Sequence, residues 1–549
     1  MRGVIVYYVV SIVHLRNLQL IAEAMPDWAF LVLYQPESPL VLQELKKLPF
    51  ERMAFRNYQV PADLTSMDPR ALIFSVIQLR NAPLNLLKYG LEHGIPTIAI
   101  EESNQMVMNK YLMNAHRNFI YPADHILAAS EFEKREIIQA GVPEHRVRVT
   151  GWPFYSGRVG KVDKPQKLQA KKSLGLDPDR PVAALTLNGI GYADENFDSL
   201  KRQLILAGEG LPPEYQFVIK PHPIEKQEII KSFINGQAPG AVVLDGTMPT
   251  KALLESADLL LNRGVSQVVL EALVQELPVV ILSTGIRSPF HGSLDRFIAR
   301  EPEELTEIVK QLETEPDPRK FYAEFRRLHI PFSPREACRL TCKRIDQIAA
   351  AGIVDPEPEQ QWLELGLYQA FRVSRPQALD SISAHRVSHL PEIRTALRDL
   401  ILYRSDRNQL EKLKEWAAGS FREQALRSLW IDQLYHEREP IKKGDLNWLC
   451  DFPPAMCFTY FFNHLSLWFD LLLRSGAQKE ARVLWQRMND IYGYVPRVKQ
   501  ILREVDLYDR GLSGRMRYKA WRIYEDMRVY LRRFPWLLWL KTKINEVFL

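Results

Sequence analysis

The sequence predicts an α/β fold with two doubly wound parallel sheets, followed by an all-α C-terminal region. Three observations carry this prediction. Short apolar runs without polar alternation recur between helical stretches, as in strands buried on both faces. The alternation occurs twice, on either side of a Lys-, Pro-, Gly- and Asp-rich segment at 156–180. Strand character then fades from about residue 303, and helical spacing dominates beyond 360.

In the first domain, 1–155, the strand candidates are Val4–Val10, Ala29–Tyr34, Ala71–Ser75, Thr97–Ile100, His125–Ala128 and Arg146–Thr150. Helical stretches include Leu15–Ala24, Pro83–Tyr89 and Glu131–Ala140. The apolar run after Arg2 reads as a buried first strand rather than a signal peptide, because His14 and Arg16 follow it. The segment 156–180 reads as a linker into a second domain, 156–352. There the strand candidates are Val182–Leu187, Gln216–Lys220, Ala241–Leu244, Asp258–Leu261 and Pro278–Leu282. Helices are expected at Asp194–Ala207, Ile224–Phe233, Lys251–Ser256 and Ser266–Gln275. The acidic, proline-bearing stretch 354–359 reads as a connector to a helical domain, 360–549.

The chain has 549 residues, too many for one ordinary core. Its 72 basic and 66 acidic residues leave +6, too weak to imply nucleic-acid binding. Residues 515–549 alone hold nine Lys or Arg and three Asp or Glu, so the rest is formally neutral. Four cysteines, Cys338, Cys342, Cys450 and Cys457, lack a zinc-ligand pattern and suit a reducing cytoplasm. No apolar run is long enough to span a bilayer.

Ligands of doubly wound sheets bind at the carboxyl ends of strands. Lys220-Pro221-His222-Pro223 lies at such an end. The prolines fix the backbone around His222. Lys220 and His222 then offer a cation and a switchable donor to an anion. The alternative is a turn histidine bonded to backbone. Asn262-Arg263-Gly264-Val265-Ser266 ends another strand and opens a helix carrying Glu271. Gly264 permits close backbone approach, Ser266 suits an N-cap, and free N–H groups favour a phosphate. Glu271 lies about one turn in, where a carboxylate accepts from ribose hydroxyls. Asn188-Gly189-Ile190-Gly191 follows the first strand of the second domain. It has no third glycine, so it is a weak dinucleotide fingerprint but a plausible phosphate loop.

Residues 1 to about 350 resemble glycosyltransferases of the two-Rossmann "B" fold, GT-B. More narrowly, they are similar to bacterial capsule and surface-polysaccharide transferases, which shade into the CDP-glycerol glycerophosphotransferases. The matching residues are Thr150-Gly151-Trp152-Pro153, Lys220-Pro221-His222-Pro223, and Ser266 through Glu271-Ala272-Leu273 to Pro278-Val279-Val280. The resemblance implies a nucleotide-sugar donor in the second domain. It places His222 near the donor phosphates, Gly264 to Ser266 on the phosphate and Glu271 on the ribose. The acceptor it implies is a growing glycan or a lipid-linked molecule.

An inverting transfer needs a base for the acceptor hydroxyl. The candidates are His14, after the first strand, and Glu101 and Glu102, after Ile100. Where the family often has a glycine-rich loop, this chain has Ser11-Ile12-Val13-His14, which leaves the base open. No metal or other cofactor is expected, and Asp177-Pro178-Asp179 reads as a turn rather than a metal motif. The tail 515–549 places Met516, Ala520, Ile523, Met527, Tyr530 and Phe534 on one helical face among basic residues. That pattern suits an anionic membrane surface, so the expected place is the cytoplasm, at the inner face of the cell membrane. A glycerophosphotransferase, a sugar-nucleotide epimerase and a non-catalytic scaffold are the competing readings.

Overall fold

The computed structural model describes residues 2–492, apart from 10–11, 36–38, 56–59, 75–80, 101–122, 140–141, 154–161, 188–196, 224, 264–265, 267, 284–293, 316, 356–357, 373–374, 385–388, 419–420, 438–440 and most of 442–474. Two parallel sheets dominate. The first contains β1 (Val4–Val9), β2 (Ala29–Tyr34), β3 (Glu51–Ala54), β4 (Pro69–Phe74), β5 (Thr97–Ile100), β6 (His125–Ala128) and β7 (Val147–Val149). Their spatial order is β3-β2-β1-β4-β5-β6-β7. The second contains β8 (Val182–Thr186), β9 (Gln216–Lys220), β10 (Val242–Val243), β11 (Leu259–Asn262), β12 (Val279–Leu282) and β13 (Ile298–Ala299). Its order is β10-β9-β8-β11-β12-β13. Each sheet starts in the middle, grows one way and then reverses. A switch point therefore opens beside the first strand, between β1 and β4 and between β8 and β11.

The central strands are apolar because helices cover both faces. Ile5 to Val9 and Val182 to Thr186 are buried without interruption. The two strands that the apolar pattern does not announce are edge elements. β3 is Glu-Arg-Met-Ala and half exposed, and β13 is two residues long.

Two segments behave differently from the sequence expectation. The predicted linker contains a helix, Lys164–Ser173, closed by a capping box between Asp163 and Gln166. Lys167 and Lys171 from this helix reach Asp258 at 2.9 and 3.1 Å. The Val182 N–H donates to the same carboxylate at 2.9 Å, fixing the starts of β8 and β11 together.

The second difference concerns the helix Pro334–Ala351. It follows the second domain in sequence but packs into the first domain's core. Cys338, Cys342, Ile345 and Ile348 join Ile5, Tyr7, Leu18 and Ile21 there. Burying an apolar side chain of this size is worth about 1.5–3 kcal/mol, so this helix is integral to that core. Trp28 Nε1 donates to Asp346 at 2.8 Å, and Arg2 pairs with the same carboxylate. Conversely, Ala129 and Trp152 belong to the second core. The chain thus crosses between the domains twice, and the crossings touch. Gly151 has φ +79°, and a Cβ there would lie 2.5 Å from Ala337 Cβ. The Thr341 hydroxyl meets the Thr150 hydroxyl at 3.1 Å.

The stretch 354–359 is not a free connector. Asp355 is buried and accepts from Arg146 Nε at 2.6 Å. The Glu359 carboxylate accepts from the His389 N–H and from Arg394 Nη2, at 2.6 and 3.0 Å. Helices Pro358–Arg372, Arg375–Ala384, Pro391–Ile401, Arg407–Ala417 and Phe421–Glu437 follow. The first two approach closely at Gly366, where Ile382 occupies the room a side chain would need. One compact unit extends from the N-terminus to Glu437, and a second begins at Arg438. In the second unit, the helix Gln478–Tyr492 is described, and the Ile441 N–H donates to Ser475 Oγ at 2.7 Å. Among the described residues, no helix is long and apolar enough to cross a membrane.

Candidate functional site

The second sheet's switch point gathers polar residues onto the ends of otherwise apolar strands. Thr186 closes β8, Lys220 closes β9 and Asn262 closes β11. Thr186 is in register with Lys220. Asn262 Nδ2 donates to the Thr186 hydroxyl at 2.8 Å and to its carbonyl at 3.2 Å. This pair bridges the two strands between which the chain order reverses. Arg263 follows immediately and is 2% exposed, which places a permanent cation inside the rim.

Beside it, Lys220 is buried and donates from Nζ to the Gly246 carbonyl at 2.9 Å. Burial holds the Lys220 ammonium below its ordinary pKa, opposed by the nearby Asp245 carboxylate. His222 is half-buried between Pro221 and Pro223. Burial lowers its pKa, and the neighbouring Lys220 lowers it further. At neutral pH the ring is therefore uncharged and retains one donor and one acceptor.

The loop after β9 is held by a residue the sequence does not announce. Gln227, the first residue of helix Gln227–Gln237, donates to the His222 and Glu225 carbonyls, both at 3.2 Å. Its Oε1 accepts from the Gly246 N–H at 3.0 Å. Asp245 then accepts from the Thr247 N–H and hydroxyl, both at 2.7 Å.

Ser266 stands before the helix Val268–Val274 as expected of a cap. Its Oγ accepts from the Val268 N–H at 3.4 Å, and its carbonyl accepts from the Val269 N–H at 3.2 Å. The helix is shorter than the predicted span from Ser266 to Gln275. Glu271 sits on it, half-exposed, while Val269, Leu270, Ala272 and Leu273 are buried around it. The carboxylate thus occupies the open stripe of a short buried helix. Asn188, Gly189 and Gly264 lie outside the described residues.

In the first domain, His14 is on a helix rather than in a loop. The helix Ile12–Ala24 begins before it, and the side chain is fully buried. β1 ends at Val9 and the helix begins at Ile12. Glu101, Glu102 and the tail 515–549 lie outside the described residues. Asp177 and Asp179 form a local turn: the Asp179 N–H donates to Asp177 Oδ1 at 3.0 Å, and Gln216 brackets the Asp177 backbone. Among the described residues, no cluster of three or more His, Cys, Asp or Glu side chains forms a metal site.

Of the predicted site residues, the described Lys220, His222 and Arg263 lie at or just beyond the carboxyl ends of β9 and β11, Ser266 stands before the helix that follows β11, and Glu271 lies within that helix. Thr186, Gln227 and Gly246 join them without having been expected. A threonine closing an apolar strand was a weak available signal. Gln227 and Gly246 meet only through the fold.

No protein-family model matches the chain. In sequence it is similar to a processive diacylglycerol beta-glucosyltransferase of Staphylococcus epidermidis, 22% identical over 275 residues, which are 49% of this chain and 66% of the relative. The corresponding Staphylococcus haemolyticus protein is 25% identical over 242 residues, 42% of this chain and 56% of the relative. The chain spans less than two thirds of the length of these curated relatives. Among solved structures, a glycosyltransferase from Rickettsia africae matches with TM-score 0.46 and 10% identity, over 63% of this chain and 98% of that one. A UDP-GlcNAc 2-epimerase from Neisseria meningitidis matches with TM-score 0.46 and 14% identity, over 63% and 100%.

Proposed function

We propose that the chain is a GT-B glycosyltransferase that moves a sugar from a nucleotide-activated donor to a growing surface glycan or a lipid-linked acceptor. The observation that carries this reading is the rim of the second sheet. Arg263 and Lys220 supply positive charge and His222 a neutral donor at the carboxyl ends of β11 and β9, and Glu271 adds an open carboxylate on the helix that follows β11. A nucleoside diphosphate needs these groups: cations and donors for the phosphates, and an acceptor for the ribose. The sequence likeness to the two staphylococcal glucosyltransferases supports the same class and a lipid acceptor.

In the transfer, the acceptor oxygen forms a bond to the anomeric carbon as the bond from that carbon to the phosphate oxygen breaks. The leaving nucleotide takes the electron pair. Arg263 and Lys220 stabilise the charge that develops there, and His222 donates to it. The acceptor proton passes to a base from the first domain, for which His14, Glu101 and Glu102 are the candidates. The tail 515–549 holds the protein at an anionic membrane face, close to lipid-linked acceptors.

The test is a thermal-shift screen of the full chain across UDP-, GDP-, CDP- and CMP-linked compounds, followed by turnover with the binder. A ligand at about 100 times its Kd adds roughly 2.7 kcal/mol of stability. Transfer to an acceptor is the expected result. Epimerised sugar, transferred glycerol phosphate or no nucleotide binding at all would each replace this reading by one of its rivals.

A further inference from the structure

Two loops that are distant in sequence are built as one platform beside the donor rim. The first, 221–226, follows β9 and carries His222. The second, 245–249, follows β10. Gly246 is gripped through both of its backbone groups. Its N–H donates to Gln227 Oε1 at 3.0 Å, and its carbonyl accepts from Lys220 Nζ at 2.9 Å. The Gln227 amide nitrogen simultaneously holds the His222 and Glu225 carbonyls, each at 3.2 Å. Both ends of one carboxamide are therefore used, one on each loop. A Cβ at residue 246 would lie 2.5 Å from Gln227 Nε2, so the clamp requires glycine there. Val242 and Val243 pair with Val218 and Ile219, which brings the two loops off neighbouring strands at the same level.

We infer that Gln227 is a positioning residue for His222: it fixes the backbone of the His222 loop against the Asp245–Thr247 loop and so sets where the imidazole meets the donor. The inference rests on the donor-site reading of His222. Glutamine suits this task because it offers a donor and an acceptor on one rigid group. Glutamate keeps only the acceptor, and at neutral pH sets a charge against two carbonyls. Preorganised groups lose rate when displaced by about 1 Å, even if they remain present.

A double-mutant cycle tests this on the full chain. Gln227→Ala and Gln227→Glu are each made alone and in a His222→Ala background, with thermal midpoint, donor KM and kcat measured for all. If Gln227 acts through His222, each substitution lowers kcat/KM about tenfold in the otherwise native protein and has almost no further effect once His222 is gone. Both Gln227 variants then keep a single cooperative thermal transition, which separates loss of rate from loss of fold. An equal loss in both backgrounds overturns the inference and leaves the donor-site reading standing. Unchanged turnover in His222→Ala alone overturns the donor-site reading, and the inference with it.

Discussion

Arg146 and Asp355 form an ion pair that lies almost wholly out of water, Nε to Oδ2 at 2.6 Å, with side-chain exposures of 1% and 0%. Arg146 Nη1 also reaches Glu364 Oε2 at 2.9 Å. The residue just before the last strand of the first sheet is thus joined to the start of the helical region. Asp124 extends the join: its Oδ1 accepts from the Asp355 N–H at 2.7 Å and from Gln361 Nε2 at 3.0 Å. Its Oδ2 accepts from the Thr97 N–H and hydroxyl at 2.8 and 2.6 Å. Burial by itself would lower the Arg146 pKa, but Glu364 and Asp355 hold it above the ordinary arginine value.

Removing the guanidinium takes the shared cation from two buried carboxylates, leaving Asp355 with His145 at 3.0 Å and Glu364 with Arg422 at 4.0 Å. Arg146→Ala is expected to cost about 3–5 kcal/mol, read as a lower urea midpoint. Arg146→Lys should recover only part, since one ammonium cannot serve both carboxylates with a fork. A midpoint within error of the native one in Arg146→Ala would refute the join.

His329 predicts an acid-side loss of stability. It is 1% exposed and stacks between Phe325 and Phe132, with ring centroids at 4.2 and 4.6 Å. Burial, and then Arg135, lowers its pKa to about 4. The unfolded chain takes up this proton near pH 6.5, so it binds more protons than the folded one between those values. The stabilisation is complete above pH 6.5 and is lost as pH falls towards 4, by about 3 kcal/mol in total. In His329→Leu that part of the pH dependence should vanish from denaturation curves measured between pH 4 and 7.

At Gly151, any side chain meets two penalties. The φ of +79° disfavours L residues, and the Ala337 side chain fills the space. Gly151→Ala should destabilise by more than about 1 kcal/mol. Adding Ala337→Gly should relieve the 2.5 Å contact but neither the backbone strain nor the close approach to Phe332 at 3.1 Å, so the double variant should recover only part of the lost thermal midpoint.

Glu271, if it accepts from the donor ribose, acts in the ground state and the transition state alike. Glu271→Ala should raise donor KM about tenfold with a smaller change in kcat. An unaltered KM would remove the ribose role while leaving the rest of the rim intact.

Attachment to a membrane is tested by flotation. The full chain should rise with anionic vesicles at low salt and be released as salt increases, and a chain ending at residue 514 should stay behind. Intact protein that ignores such vesicles at low salt would refute attachment through the tail.

What the sequence makes legible follows from where the physics is local. Val182–Thr186 and Gln216–Lys220 announce themselves because a strand buried on both faces must be apolar along its length. Lys220 and His222 stand out because prolines and charges interrupt that run. Glu51–Ala54 does not stand out, because an edge strand keeps polar residues. Gln227 is hidden for another reason: its partner Gly246 is 19 residues away and is brought near only by the β9–β10 pairing. Asp355 sits in a stretch whose sequence is that of an acidic, proline-bearing connector, and a buried carboxylate is recognisable only once its arginine, 209 residues earlier, is in view. The helix Pro334–Ala351 adjoins the second domain in sequence, yet its apolar stripe packs into the first domain's core.

That returning helix also bears on the order of events at the ribosome. The core around Ile5, Tyr7 and Leu18 lacks Cys342, Ile345 and Ile348 until those residues have left the exit tunnel. The second core closes with Phe325, so it is complete earlier in synthesis. Domains usually mature from the N-terminus onward as a chain emerges. Here the first sheet to be translated is the last to be sealed, and a nascent chain stalled before residue 334 would display its unfinished apolar face to chaperones.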